Sequence, residues 1–332
     1  MAKTHFDVVV IGSPCVDLVF SGLPHWPVLG QEMYVSDFAL SVGAVFNTAA
    51  TLSRLGLSVG LLCEVGNDLF SRYIVDEVER AGISRELIFV REYPLRSVSV
   101  CLPYQGERGF VSYVDPNQGS AGPAGGYFSA EQHTGGEAAA HDFSVDTLTR
   151  LENVTWDAAF LYLYPNMRPA LELLSQRVGT IFLDAGWSVN TLTDSSFAEL
   201  ARFGHYFMPN QAEAAMITGQ QDPREALRVL AQFGPTALIK VGAEGVIARR
   251  AGELVSCPAL PVERVIDTTG AGDAFDGGFI YGILRGYSFL DALRCGIICG
   301  SLSTTALTGT AAVPTAAELE RIRVQLASAD RF

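Results

Sequence analysis

The sequence predicts an α/β fold: a doubly wound, mainly parallel sheet with helices on both faces, plus a small β-sheet lid. Three observations carry this. Short continuous apolar runs such as Phe6 to Ile11 and Ala158 to Tyr164 read as core strands. Helix-length segments lie among or after them, the alternation expected of βα units. Two early segments break that alternation with strand-like stretches that have no core-type apolar run, as small protruding sheets do.

In chain order, the first strand ends at Gly12-Ser-Pro. Thr48 to Leu55 reads as a helix closed by Gly56, Val59 to Glu64 as a strand, and Ser71 to Ala81 as a helix closed by Gly82. Glu32 to Val42 is strand-like. Ser97 to Leu102 and Phe110 to Val114 flank Gln105-Gly-Glu-Arg-Gly109, which reads as a hairpin. These early strands are expected to form the lid, from segments at about 16–45 and 95–116, with Val98, Val100, Leu102 and Val111 or Tyr113 alternating on its outer face. Residues 117–140 are rich in Gly and Ala without apolar periodicity and read as a loop-like insert, docked on the lid or on a partner subunit. Further strands are expected at Ala158 to Tyr164, Thr180 to Asp184, Tyr206 to Met208, Ala237 to Val241 and Val246 to Arg249. Helices are expected at about 168–178, 195–203, 211–217, 223–233, 271–285 and 289–306. No internal repeat interrupts the run, so residues 1–332 read as one domain with a lid. A ligand crevice is expected at the carboxyl ends of the strands.

Composition narrows the function. The chain is 48% hydrophobic and 18% charged, ordinary for a globular domain, with a net charge of −13. An acidic chain without a basic run argues against nucleic acid or an anionic membrane as partner. With no signal peptide and no apolar span of membrane length in view, a cytoplasmic protein is expected. The six cysteines form no CxxC pair, and most sit in apolar runs, as buried thiols do.

The chemistry concentrates in Asp267-Thr-Thr-Gly-Ala-Gly-Asp273-Ala-Phe275. A tight turn runs into a buried helix, so the amides of Gly270, Ala271 and Gly272 are expected to converge on an anion, aided by the helix dipole. Asp273 at the rim suits a base that takes the proton of a hydroxyl attacking a phosphate. A dinucleotide fingerprint would need glycine at Phe275, and a Walker loop would need Gly-Lys-Ser/Thr. Asp17, six residues after the first strand, is an acid in an apolar neighbourhood and needs a partner, for which sugar hydroxyls serve. Gly43 allows close backbone approach to a ligand, and Asn47 offers a donor and an acceptor at a helix start, or a helix cap. Asn210 and Glu213 share a helix-start face. They fit a capping box, and Glu213 also fits a carboxylate ordering water around Mg2+.

The Asp267 to Phe279 stretch resembles the C-terminal signature of the ribokinase-like, or PfkB, carbohydrate kinases. The likeness extends from Val8 to about Pro314. Pro209-Asn-Gln-Ala-Glu213 resembles the family's Asn-x-x-Glu motif, and Ser41-Val-Gly43-Ala-Val-Phe-Asn47 its N-terminal signature, with Val42 in place of a glycine. The resemblance implies ATP-dependent phosphorylation of a sugar, with ATP and Mg2+ required. It assigns Asp273 as base beside Gly270, Ala271 and Gly272, and gives the sugar to Asp17, Gly43, Asn47 and Asp273. The nucleotide falls to Asn210, Lys240, Gly242, Gly245 and Thr268. Glu213 would hold Mg2+ through water, and Asp267, Thr269 and Gly309 a monovalent cation, K+, as in some relatives. The expected partners are a small sugar, ATP and a second copy joined through the lid. A nucleoside kinase stays open, with Tyr104, Phe110 and Tyr113 to stack a base. So does a non-catalytic binder, against which the intact Asp273 argues.

Overall fold

The computed structural model describes residues 3–104, 107–115, 149–164, 167–177, 179–186 and 192–328; the insert expected at 117–140 lies outside them. The main sheet is built from β1 (Thr4–Ile11), β4 (Val59–Val65), β5 (Ile88–Val90), β8 (Val154–Leu163), β9 (Thr180–Ala185), β10 (Tyr206–Phe207), β11 (Thr236–Lys240), β12 (Val246–Arg250) and β13 (Glu253–Cys257). Their spatial order is β13-β12-β11-β10-β9-β8-β1-β4-β5. Pairing is parallel from β11 across to β5 and antiparallel only at the β11–β12–β13 edge.

Helices α1 (Val45–Arg54), α2 (Leu69–Arg80), α7 (Ala271–Leu284), α8 (Phe289–Ser303) and α9 (Ala316–Ser328) cover one face. α3 (Arg168–Ser175), α4 (Phe197–Ala201), α5 (Gln211–Thr218) and α6 (Pro223–Leu230) cover the other. The period of a strand explains the split. In β1, Val8 and Val10 enter the core with Phe279 and Ile298, while Val9 and Ile11 enter the opposite core with Leu171 and Leu227. The glycines of α7 admit its neighbours: a Cβ at Gly277 would fall 2.5 Å from Thr51 Cγ2, and one at Gly282 2.7 Å from Ala292 Cα.

A second sheet of β2 (Cys15–Ser21), β3 (Asp37–Gly43), β6 (Ser97–Tyr104) and β7 (Glu107–Val114) has the order β3-β2-β6-β7. Its register places Ser41, Asp17, Ser99 and Ser112 in one row across all four strands. The rows on either side, Val42–Val16–Val98–Tyr113 and Leu40–Leu18–Val100–Val111, point to the opposite face and are apolar except for the Tyr113 hydroxyl. One face of this sheet is therefore hydroxyl-bearing around a carboxylate, and the other is hydrophobic.

Several boundaries differ from expectation. β2 was not anticipated as a strand, because Asp17 breaks its apolar run, yet it pairs with β3 along its whole length. β3 begins at Asp37 rather than Glu32. α1 starts at Val45, ahead of Thr48. β5, β13 and α9 are elements that short or mixed segments did not announce, and α8 stops at Ser303 rather than 306.

Candidate active site

The carboxyl ends of the parallel strands face the start of α7. Gly270 caps that helix in a left-handed conformation, with φ 73°. A side chain there would strike Gly309 Cα at 2.7 Å and Asn47 Nδ2 at 2.8 Å. Asp273 follows in the first turn. Its Oδ1 accepts from the Tyr162 hydroxyl at 2.5 Å and its Oδ2 from Asn47 Nδ2 at 3.0 Å, while Thr48 Oγ1 donates to its carbonyl at 3.3 Å. Burial raises the Asp273 carboxyl above the usual range; the Tyr162 and Asn47 donors and the Lys240 ammonium pull the other way. Of the three amides expected to form an anion cradle, Ala271 N–H already reaches the Thr268 carbonyl, at a long 3.3 Å.

Asp17 comes to the same crevice from the small sheet. Gly43 lies opposite Cys15, and a Cβ on it would fall 2.0 Å from Asp17 Oδ2, so glycine makes the room the carboxylate occupies. Burial pushes the Asp17 carboxyl up to about 6; the Cys15 thiol, donating at 3.4 Å, opposes this, and the charges of Asp273 and Asp267 add to it. Asn47 is not the cap of α1. Ala44 holds that position, which leaves the Asn47 amide for Asp273 and its Oδ1 buried with no protein partner. Asp17, Gly43, Asn47 and Asp273 are thus brought together.

Asp267 ties two loops together behind the turn. It accepts from Thr269 N at 2.9 Å and Thr308 N at 3.1 Å, and the Ile266 and Asp267 amides bond the Thr304 carbonyl. Cys101 Sγ lies 3.7 Å from Thr269 Oγ1, bringing β6 of the small sheet against this turn. Thr308 holds a positive φ of 77°, uncommon for a β-branched residue.

Asn210 and Glu213 form the capping box of α5, with Glu213 N donating to Asn210 Oδ1 at 3.0 Å and Asn210 N to Glu213 Oε2 at 2.8 Å. Glu213 is buried, which pushes its carboxyl up to about 8; the Asp184 charge reinforces the shift and Lys240 opposes it. Gly242 opens a short turn after β11, and Gly245 closes it with φ 96°; a Cβ there would fall 2.1 Å from the Cys257 carbonyl oxygen.

Lys240, expected beside the nucleotide, spends its ammonium on carboxylates instead. Nζ lies 2.8 Å from Asp184 Oδ2 and 3.1 Å from each oxygen of Asp276. Asp184, Asp273 and Asp276 bring one oxygen each within 4.8 Å of one another, and Lys240 supplies the positive charge this cluster needs. Sequence reasoning passed over Tyr162, Asp184 and Asp276. A signal existed: each is a polar group in a mostly apolar stretch of strand or helix, where burial demands a partner.

The whole chain aligns with solved ribokinase-fold proteins. Arabidopsis thaliana ribokinase, solved with ribose and ATP, shares a TM-score of 0.74 at 18% identity, covering 97% of this chain and 99% of that one. A Burkholderia thailandensis nucleoside kinase, solved with inosine, gives a TM-score of 0.70 at 20% identity, covering 96% of each chain. At such identities the likeness defines a class, the ribokinase fold. Sequence goes further. The family model described as pfkB family carbohydrate kinase matches residues 166–316. A 2-dehydro-3-deoxygluconokinase of Bacillus subtilis is 29% identical over 288 residues, 82% of this chain and 83% of that protein. A fructokinase of Vibrio alginolyticus is 26% identical over 330 residues, 95% and 98% of the two chains. These matches together support a carbohydrate kinase of the ribokinase-like, pfkB kind.

Proposed function

We propose that the protein is a kinase that transfers the γ-phosphoryl group of ATP to a sugar hydroxyl. The carrying observation is Asp273, fixed by Asn47 and Tyr162 at the start of α7 in the crevice that Asp17 also enters. The sugar O–H gives its proton to Asp273 as its oxygen forms the new bond to phosphorus; the bond from phosphorus to the bridging oxygen breaks, and ADP leaves. Gly270 and Gly272 offer amides and the helix dipole to the charge on the transferring group, and the Ala271 amide joins them by leaving its long contact with the Thr268 carbonyl. Asp17, Gly43 and Asn47 hold the sugar, and Asn210, Gly242, Gly245 and Thr268 border the nucleotide. Lys240 acts there through the carboxylates it neutralises.

The donor chemistry fits a hard cation, since the crevice is lined by carboxylates whose charge exceeds that of Lys240. Glu213 would hold Mg2+ through water, and the ion would supply positive charge to offset that of the ATP phosphates. Burial keeps Glu213 partly protonated near neutral pH, and a nearby cation favours its ionised form. K+ fits the loop pair joined by Asp267, with Thr269 and Gly309 beside it. The Asp267 oxygens already accept from amides, so oxygens other than these complete such a site.

The row of Ser41, Asp17, Ser99 and Ser112 favours a polyhydroxylated substrate. Tyr104 and Tyr113 fall on the other face, away from that row. A nucleoside kinase is the second reading, and Phe110, which pairs with Cys101 and shares its face, supports it. The apolar outer face, with Phe38 51% and Val111 67% exposed, is the surface through which a second copy would dock to form a homodimer. A cytoplasmic setting suits ATP use and six cysteines that are all free and buried. Among the described residues no helix is long and apolar enough to cross a membrane, and the net charge of −13 disfavours nucleic acid. A coupled ADP-release screen over sugars and nucleosides tests the reading: turnover with a neutral or acidic sugar is expected, and turnover with nucleosides alone would move the assignment to the second reading.

A further inference from the structure

The Tyr162 hydroxyl makes the shortest contact of the crevice, 2.5 Å to Asp273 Oδ1, and it enters from the middle of the main sheet near the end of β8. The residue belongs to no motif that identifies the site. It has a single polar atom, and that atom is aimed at the base. Asn47 Nδ2 holds the other oxygen at 3.0 Å, so the carboxylate is gripped at both ends and its plane is set by two separate elements, β8 and α1.

We infer that Tyr162 is a positioning residue for phosphoryl transfer: its hydroxyl fixes the orientation of the Asp273 carboxylate and keeps that carboxylate ionised until the sugar proton arrives. The inference rests on the reading of Asp273 as the base. Tyr162 does not serve as base itself. Its burial, and after that the carboxylates around it, drive its phenol far above the ordinary value, so it stays a donor throughout the working range of pH.

The charge around Asp273 shows why such a donor matters. Asp17 and the Cys15 thiol approach from β2, Asp184 from β9, Glu213 from α5 and Asp276 from the same helix, α7. Against these stands Lys240 from β11, whose ammonium is bonded to Asp184 and Asp276 rather than to Asp273. Burial and neighbouring carboxylates thus favour a protonated Asp273, which would be useless as a base. Two direct donors counter them, and of these Tyr162 is the shorter and lies on a rigid strand. A charge-assisted hydrogen bond of this kind favours the ionised form by an amount equivalent to about one pH unit or more. The same bond also places the lone pairs that remain free, which is the geometric condition for proton transfer.

The variant Tyr162→Phe tests this, because it keeps the ring and removes only the hydroxyl. The expected result is a fall in kcat of about tenfold or more, with KM for ATP unchanged. The acid limb of the kcat/KM profile should move upward by about one pH unit, with the thermal midpoint close to that of the parent. An unchanged acid limb would overturn the inference, whatever happens to kcat, since lost packing alone does not alter the ionisation of Asp273. Asp273→Asn, assayed in parallel, separates the two claims. If that variant turns over normally, the base assignment fails. If it is inactive while Tyr162→Phe keeps the parental profile, only the role of Tyr162 fails.

Discussion

Asn47 Nδ2 donates to Asp273 Oδ2 at 3.0 Å across 226 positions of sequence, joining the first turns of two helices. The bond couples the residue expected to hold the sugar to the residue expected to activate it. If both expectations hold, this contact links the orientation of the substrate to its deprotonation.

Replacing Asp273 by Asn keeps shape and removes the proton acceptor. Turnover is expected to fall by about 10²–10⁴, with ATP affinity nearly unchanged. Steady-state ADP release with both substrates varied measures this; near-normal turnover would remove Asp273 from the role of base.

Asp17 gives a prediction in pH. Its carboxyl is raised from 3.8 to about 6 in the folded chain, so the native state binds that proton more tightly than the unfolded state. Its contribution to stability is therefore full below about pH 4 and is lost as pH rises through about 6. Sugar binding runs the other way, since the ionised carboxylate is the better acceptor for hydroxyls. The KM for sugar should rise as pH falls through 6. Asp17→Asn should raise stability at pH 8 on the order of 2 kcal/mol while abolishing this pH dependence of KM. Denaturant unfolding at pH 8 and a pH series of KM check both signs.

Lys240→Met would leave Asp184 and Asp276 buried without their counter-charge. A loss of about 3–5 kcal/mol is expected, and adding Asp276→Asn should recover part of it. Urea unfolding of the single and double variants measures the coupling. Equal stability of parent and single variant would show the ammonium to be dispensable.

Thr308 holds φ at 77°, and its amide bonds Asp267. Glycine should relieve the strain at some entropic cost, for a net gain of about 1 kcal/mol or slightly less. Calorimetry of Thr308→Gly should show a higher Tm. A lower one would mean that the side chain contributes contacts outweighing the strain.

Val111 is 67% exposed on the apolar face of the small sheet. If two copies join there, Val111→Lys should convert a dimer to a monomer in light scattering while leaving the main sheet intact. A parent that is monomeric at micromolar concentration would dismiss the dimer outright.

The fold was legible because parallel strands buried on both faces leave unmistakable apolar runs, as in Phe6 to Ile11 and Ala158 to Tyr164. The turn at Asp267 to Asp273 was legible because its glycines and carboxylates stand next to one another. The partners of Asp273 were not, because Tyr162 and Asn47 reach it only through the sheet and helix packing. Lys240 illustrates the limit: the family resemblance sets it beside the nucleotide, and only the fold reveals Asp184 and Asp276 already beside it. β2 was hidden because Asp17 interrupts its apolar run, and Asp17 is the residue that the strand brings into the crevice.

The order of the main sheet bears on how the molecule is made. β1 is flanked by β4, which follows it closely, and by β8, whose residues begin at Val154. A ribosome that has released only the first part of the chain has therefore produced Asp17 and Asn47 without the strand that carries Tyr162 or the helix that carries Asp273. Such long-range closure slows folding and exposes unpaired strand during synthesis. Asp273 therefore meets Asn47 and Tyr162 only once α7, which begins at Ala271, has been made.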